Sequence, residues 1–262
     1  MNYDEAYSNA DFIKGAEAYP KRWAADAASW REKADARLDI PYGTHARQRF
    51  DLFSPKGIPR GLVVFVHGGY WLKFDKSLWS HLAEGAVARG WAVAMPSYRL
   101  AQEVCIADIT RDVRSAVLAA AAQVAAPIVL TGHSAGGHLV ARLLCADANL
   151  PADVAERIVG AVPISGVADL RPLMHTAMNK IFDLDEAAAT AESPALQPLA
   201  LTVPTTVWVG ADERPVFLEQ SEALATAWNV PLHIAPGLHH FDVIDDLQNP
   251  ESGLMETLLG GG

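Results

Sequence analysis

The sequence predicts an α/β fold in which a mostly parallel sheet is covered by helices on both faces. One observation is a regular alternation of short apolar segments of strand length with segments of helix length. Another is the nearly continuous apolar character of those strands, which is typical of a parallel sheet buried on both faces. Because right-handed crossovers bring the carboxyl ends of such strands to one edge, we expect the functional site at that edge.

Eight strands are expected. The first two alternate apolar and polar residues on either side of Tyr42-Gly43-Thr44, which predicts an antiparallel hairpin at one edge of the sheet, at 36–41 and 49–53. The six buried strands are predicted at 62–66, 92–96, 128–131, 158–164, 206–209 and 232–235. Helical segments are predicted at 76–89, 106–124, 136–146 and 216–228, with a broken helical region at 170–191.

Residues 1–35 precede the sheet, and their apolar residues recur near a helical period. Pro20 is expected to divide this segment into two helices. We expect the segment to act as a small lid that shapes the pocket, without folding independently of the α/β domain at 36–262. Packing on the body of the domain without a lid function is the alternative.

Composition narrows the function classes. The chain has 262 residues, half of them apolar, and a net charge of −10 without a basic run, so a nucleic-acid partner is not expected. No apolar stretch is long enough to span a bilayer and the first residues lack a secretory signal, so we expect a cytoplasmic protein. Two cysteines and scattered histidines predict neither a disulfide framework nor a metal site, and no cofactor is expected. The expected partner is a small acyl substrate, and a homodimer is left open.

The most informative segment is Gly132-His133-Ser134-Ala135-Gly136, which follows the strand at 128–131 and precedes a helix. A Gly-x-Ser-x-Gly sequence in that context predicts a sharp, strained turn that presents the serine hydroxyl at the sheet edge. The helix amino terminus beside it favours a developing oxyanion. Ser134 is therefore the expected nucleophile, and an inert serine in a glycine-rich turn is the alternative.

A second segment, His67-Gly68-Gly69-Tyr70-Trp71, follows the third strand. Acyl transfer needs backbone N–H groups aimed at the oxyanion, and glycines allow the backbone to come close to the substrate. We expect these donors to be Gly68 and Gly69, together with Ala135 after the nucleophile. His67 is expected to support the loop by a hydrogen bond. For Tyr70 and Trp71, lining the acyl pocket and packing in the core are equally open.

The acid and the base should follow the nucleophile along the chain. Asp212 comes just after the strand at 206–209 and is the favoured acid, with Glu213 as the alternative and with Asp169 and Asp183 less favoured. The last strand leads to two adjacent histidines, His239 and His240. The residues alone do not decide between these two as the general base.

With these motifs in place, the chain resembles the α/β-hydrolase superfamily near the hormone-sensitive-lipase-like esterases, and more narrowly the arylformamidase (kynurenine formamidase) group. The resemblance covers nearly all of the chain beyond the first helices. Besides the two motifs above, it rests on Arg49–Pro55, Pro96-Ser97-Tyr98-Arg99-Leu100 and His240-Phe241-Asp242-Val243-Ile244.

The resemblance implies that His240 is the base, since it precedes Phe-Asp, and that Asp212 is the acid. It also implies oxyanion donors at Gly68, Gly69 and Ala135, and we place Phe241 with the substrate-binding residues. The implied reaction is hydrolysis of N-formyl-kynurenine to kynurenine and formate. The same framework serves carboxylesterases and thioesterases, and a non-catalytic binding protein on this scaffold is a further alternative.

Overall fold

The structure, a computed structural model that describes residues 2–260, contains one eight-stranded sheet. The strands are β1 (Asp35–Pro41), β2 (Arg49–Ser54), β3 (Leu62–Val66), β4 (Ala92–Pro96), β5 (Ile128–His133), β6 (Ile158–Ile164), β7 (Val207–Gly210) and β8 (Leu232–Ala235). Their order across the sheet is β1-β2-β4-β3-β5-β6-β7-β8. β1 pairs antiparallel with β2, and β2 pairs antiparallel with β4, whereas all other neighbours are parallel. The predicted edge hairpin and parallel sheet are confirmed.

Ten α-helices accompany the sheet within residues 2–260. They are α1 (Tyr3–Ala6), α2 (Tyr19–Arg31), α3 (Glu84–Ala88), α4 (Ile106–Gln123), α5 (Ala135–Leu144), α6 (Ala152–Ala155), α7 (Asn179–Phe182), α8 (Glu186–Ala191), α9 (Pro215–Trp228) and α10 (Gly253–Leu259). Single turns of 3₁₀-helix lie at Ala10–Phe12, Ala16–Ala18, Lys76–Leu78, Ser80–Ala83, Ala146–Ala148, Arg171–His175, Pro194–Leu196 and Asp245–Gln248. None of the helices in the described part of the chain has the length and apolar character to cross a bilayer.

Two hydrophobic cores lie on opposite faces of the sheet. In β3, whose five residues are all buried, Leu62, Val64 and Val66 contribute to one core, and Val63 and Phe65 contribute to the other. This alternation follows from the two-residue period of a strand. The first core also contains apolar residues of α4, α5 and α9, and the second contains residues of α2, α3 and α10. Burial on both faces explains why the central strands are apolar throughout.

The predicted helix at 76–89 forms only in part. The structure has two 3₁₀ turns there, followed by the short helix α3. Ser80–Ala83 is buried throughout, so tertiary packing rather than an amphipathic helical face determines its conformation. At the amino terminus, Pro20 lies in the first turn of α2, where its missing N–H is tolerated, so it marks the start of the second helix.

Helix α5 packs unusually close to β3. A Cβ atom built on Gly136 would lie 1.9 Å from the carbonyl oxygen of Val66, a backbone atom that cannot rotate away. Any side chain at this position therefore pushes α5 away from the sheet. Because α5 begins directly after Ser134, its placement also fixes the backbone of that serine.

We expect Gly136→Ala to lower the free energy of unfolding by about 2 kcal/mol or more, because the added methyl group cannot be accommodated without backbone movement. Gly253→Ala is the matched control, since a Cβ atom at Gly253 meets no atom within 4 Å. Urea titration followed by circular dichroism measures the free energy of unfolding of both variants. Equal midpoints for the two variants would contradict the proposed steric constraint.

Candidate active site

Ser134 occupies the turn between β5 and α5. Its backbone has φ 56° and ψ −119°, a conformation that non-glycine residues rarely adopt. The backbone N–H of Ser134 donates to the carbonyl oxygen of Ile164 on β6 at 2.8 Å, which secures the turn to the neighbouring strand. The serine is largely buried, and it lines a pocket at the carboxyl edge of the sheet. The strained turn predicted from the sequence is present.

His240 forms a hydrogen bond with a buried carboxylate. Its Nδ1 lies 2.6 Å from Oε2 of Glu213, and both side chains are almost completely buried. The other carboxylate oxygen of Glu213 accepts hydrogen bonds from the N–H of Gly210, at 3.0 Å, and from the hydroxyl of Ser165. A carboxylate that accepts from Nδ1–H leaves Nε2 of the imidazole free to accept a proton.

The carboxylate partner of His240 corrects the expected acid. Asp212, which the sequence favoured, has an exposed side chain and contributes only its backbone N–H, which donates to Leu238 at 2.9 Å. The chain turns after β7, so that Glu213 points back beneath the histidine while Asp212 faces solvent. Neighbouring residues in such a turn face opposite ways, and the sequence alone did not fix which one faces inward.

Of the two adjacent histidines, the structure brings His240 to the site. The rings of Phe217 and His133 flank the His240 ring, with centroids 4.4 and 4.6 Å away. His239 points elsewhere, where its Nε2 is 3.2 Å from the hydroxyl of Tyr19 on α2. The position implied by the resemblance and the geometry therefore coincide.

Ser134 and His240 line the same pocket. Within residues 2–260, no hydrogen bond joins the Ser134 hydroxyl to the imidazole, whose bonded partner is Glu213. Catalytic hydrogen bonds are often long in unliganded enzymes and shorten when substrate binds. The arrangement can supply a hydroxyl nucleophile, a proton acceptor and a carboxylate that orients it.

The loop after β3 brings its backbone close to the serine. A Cβ atom on Gly68 would lie 3.0 Å from Cβ of Ser134, so only glycine fits at this distance. In the described chain, the N–H groups of Gly68, Gly69 and Ala135 donate no backbone hydrogen bond outside the regular elements. They are therefore free to donate to a ligand beside Ser134, and their role as oxyanion donors stays a prediction.

His67 supports this loop rather than acting as a catalytic base. Its Nδ1 is 2.7 Å from the carbonyl oxygen of Gly68, and its ring stacks on Tyr98, with centroids 4.4 Å apart. Burial lowers the pKa of His67 to about 4, so the ring is neutral near pH 7 and donates through Nδ1–H. The hydroxyl of Tyr98 donates to the His67 carbonyl oxygen at 2.9 Å.

The pocket has a volume of about 570 Å³, which is within the range of small-molecule sites. Part of its wall is aromatic, and nearly half of its lining residues come from the segment before β1. Tyr70 and Phe241, two expected substrate-binding residues, line it. The aromatic lining side chains are Tyr7, Trp23, Tyr70, Phe74, Trp79 and Phe241.

Trp71 differs from the expected substrate-binding role. It has no exposed surface and is absent from the pocket wall, and its ring packs edge-on against His138 and Phe182, with centroids 5.0 and 5.7 Å away. Its neighbour Tyr70 faces the pocket because both residues adopt positive φ angles, which turn the chain sharply. Trp71 is therefore a core residue, which is one of the two alternatives that the sequence left open for it.

Tyr70 connects the loop after β3 with the N-terminal segment. Its hydroxyl donates to the carbonyl oxygen of Tyr7 at 2.6 Å, and burial raises its pKa well above the usual value, so it remains a donor. The hydroxyl of Tyr7 in turn accepts a hydrogen bond from Gln220 on α9 at 2.8 Å. Since Gly69, Tyr70 and Trp71 all have positive φ, this strained loop depends on such contacts to hold its geometry.

No group of three or more His, Cys, Asp or Glu side chains in residues 2–260 is arranged to hold a metal ion. Of the histidines in this region, His240 is hydrogen-bonded to Glu213, and His67 is hydrogen-bonded to the carbonyl oxygen of Gly68.

Comparison with known proteins places this geometry in context. The model of the BD-FAE family matches residues 50–227. Kynurenine formamidase from Danio rerio is 30% identical over 245 residues, covering 87% of this chain and 83% of the relative. Both matches include the loop after β3, the Ser134 turn and the Glu213 turn.

Solved structures agree on the fold. A protein from Silicibacter sp. TM1040, provisionally named a thioesterase, superposes with a TM-score of 0.96 at 53% identity, covering 98% of this chain and 99% of that one. Esterase B from Lactobacillus rhamnosis superposes with a TM-score of 0.67 at 20% identity, covering 93% and 92%. At that identity, the second likeness shows the fold alone.

We expect Glu213→Gln to lower kcat/KM for an aryl ester by about 10²- to 10⁴-fold, because an amide cannot stabilise the imidazolium and disturbs the Nδ1–H tautomer. Asp212→Asn is the matched control and should stay within about threefold, since its side chain is exposed. Initial-rate kinetics on both purified variants decide which of the two carboxylates acts as the acid. A large loss of kcat/KM in Asp212→Asn, together with an active Glu213→Gln enzyme, would instead support Asp212 as the acid.

We expect Tyr70→Phe to reduce kcat by about tenfold through a displaced oxyanion loop, because small displacements of catalytic groups are costly. Tyr42→Phe removes a similar hydrogen bond, from a hydroxyl to the carbonyl oxygen of Ser97, at a residue that does not line the pocket, and should leave kcat unchanged. Steady-state kinetics separate kcat from KM. If both variants behave alike, the link between Tyr70 and Tyr7 does not position the loop.

Proposed function

We propose that this chain, which belongs to the BD-FAE family, is a serine hydrolase that releases formate from N-formyl-kynurenine or a closely similar aryl formamide. The chain is a hydrolase of the ester- and amide-cleaving type with the α/β-hydrolase fold, and the proposal concerns its mechanism and substrate.

The observation that carries the proposal is the position of Ser134 in a pocket with an aromatic wall. A formyl group is small, so most of an aryl formamide lies on the leaving-group side of the scissile bond. The rings of Trp23, Phe74, Trp79 and Phe241 offer that side flat apolar surfaces. Similarity to kynurenine formamidases over most of the chain supports the same substrate class.

In the proposed first step, Oγ of Ser134 attacks the formyl carbon while Nε2 of His240 takes the hydroxyl proton. Glu213 orients the ring and stabilises the imidazolium that forms. The negative charge on the carbonyl oxygen is stabilised by the N–H groups of Gly68, Gly69 and Ala135. The carbon–nitrogen bond then breaks, and the aryl amine leaves with the proton from Nε2.

The second step hydrolyses the formyl-enzyme. Water attacks the ester carbon as His240 removes a proton from it, and collapse of the tetrahedral intermediate breaks the bond to Oγ of Ser134. Formate leaves, and His240 returns its proton to the serine. No cofactor takes part in either step.

A second candidate is hydrolysis of a small thioester or carboxylic ester. It is favoured by the 53% identity to the Silicibacter protein, which is provisionally named a thioesterase. The same Ser134, His240 and Glu213 chemistry would serve it, because only the leaving atom differs.

Turnover of three substrates tests the proposal: N-formyl-kynurenine, phenyl acetate and S-phenyl thioacetate. We expect kcat/KM for N-formyl-kynurenine to exceed that for either acetyl compound by at least about tenfold, because the formamide fills the aromatic side of the pocket. A preference for S-phenyl thioacetate would favour the second candidate, and a preference for phenyl acetate would indicate a carboxylesterase.

Labelling with a fluorophosphonate tests the nucleophile independently of substrate. Wild-type protein should be modified at Ser134, and Ser134→Ala should not react. Ser115→Ala on α4 is the matched control, because that serine does not line the pocket, and it should label like wild type. Absence of labelling in folded wild-type protein would leave a non-catalytic binding protein as the better explanation.

A further inference from the structure

Asn9 is a buried polar residue in the pocket whose hydrogen-bonding capacity is unused. It lies just before the 3₁₀ turn Ala10–Phe12, where asparagine commonly caps the turn with its side chain, but here it makes no such cap bond. Only 6% of the residue is exposed, and no donor within residues 2–260 reaches its Oδ1. Leaving a buried amide unpaired is unfavourable, so a ligand is the natural source of its partner.

The hydroxyl groups of Tyr70 and of the N-terminal wall already take part in hydrogen bonds within the described chain. The hydroxyl of Tyr70 donates to Tyr7, and the hydroxyl of Tyr7 accepts from Gln220. The hydroxyl of Ser8 donates to Asp11 at 2.7 Å. Asn9 is therefore the side-chain amide of the N-terminal wall that retains hydrogen-bonding capacity for a ligand, whereas the unpartnered indole N–H of Trp23 in the same wall can only donate.

The segment that carries Asn9 is held in place before any ligand binds. Two residues earlier, Tyr7 forms hydrogen bonds with Tyr70 and with Gln220. The carbonyl oxygen of Asn9 accepts a hydrogen bond from the N–H of Phe12 at 3.1 Å. A polar group fixed in a largely apolar pocket discriminates among ligands, since an apolar ligand would leave it unpaired and desolvated.

We infer that Asn9 is a specificity-determining residue whose side-chain amide hydrogen-bonds a carbonyl or amino group on the leaving-group side of the substrate. The inference deepens the proposed function and rests on it for the choice of a formamide. It adds that the enzyme selects aryl substrates with a polar substituent over unsubstituted ones, and that this selection comes from the N-terminal segment.

Asn9→Leu tests the inference, because leucine is similar in size and cannot form hydrogen bonds. N-formyl-kynurenine is compared with formanilide, which has the same scissile bond without the polar substituent. We expect kcat/KM to fall about 10- to 100-fold for N-formyl-kynurenine and to stay within about threefold for formanilide. Kynurenine, the product, should also inhibit the variant more weakly than wild type.

Asn2→Leu is the matched control, since it removes an amide from the same segment outside this pocket. It should affect both formamides equally, by less than about twofold. An equal loss on both substrates in Asn9→Leu, or no loss on either, would overturn the inference. If Asn9→Leu does not fold, as judged by thermal melting, Asn9→Val, which also cannot form hydrogen bonds, replaces it with the same expected selective loss.

A pair of esters separates this inference from the proposed function. If wild type does not cleave formamides, phenyl acetate and 2-acetylphenyl acetate carry the same test, because only the second has a carbonyl substituent on the ring. A selective loss on 2-acetylphenyl acetate in Asn9→Leu would support the role of Asn9 while the formamidase proposal fails. Equal effects on both esters would reject the role of Asn9 as well.

Discussion

The close approach of α5 to β3 is the constraint on which the site depends. Gly136 lies so near the Val66 carbonyl that no side chain fits between them. This contact holds the start of α5 against the sheet, and the turn before it forces Ser134 into a strained backbone conformation. The same approach brings Gly68 beside the serine, so one packing contact places both Ser134 and the loop after β3.

The sheet and the strained turn that carries Ser134 could be predicted because their signals are local. Buried parallel strands are apolar throughout, and a turn this tight admits only small residues around Ser134, so both leave a pattern along the chain. The helix expected at 76–89 was only partly right, because burial of Ser80–Ala83 imposes a different conformation. Periodicity describes a helix with one exposed face and misleads where a segment is buried all round.

The acid and the pocket wall could not be predicted from local signals because they depend on long-range geometry. Asp212 and Glu213 are adjacent acidic residues after the same strand, and only the direction of the turn decides which one meets His240. Trp71 and Tyr70 are likewise adjacent in sequence but lie in different places: Trp71 is in the core and Tyr70 lines the pocket. Asn9 lies outside the two motifs around Gly68 and Ser134, and its proposed role follows from what surrounds it.

The pocket brings together segments that are far apart in the sequence. The hydroxyl of Tyr19 meets His239 across 220 residues of sequence, and Arg22 pairs with Asp245 at 2.8 Å across 223 residues. A chain still emerging from the ribosome therefore contains the N-terminal wall and Ser134 long before it contains His240. The cavity can therefore close only after the segment around His239 and His240 has been synthesised and has packed against the N-terminal wall.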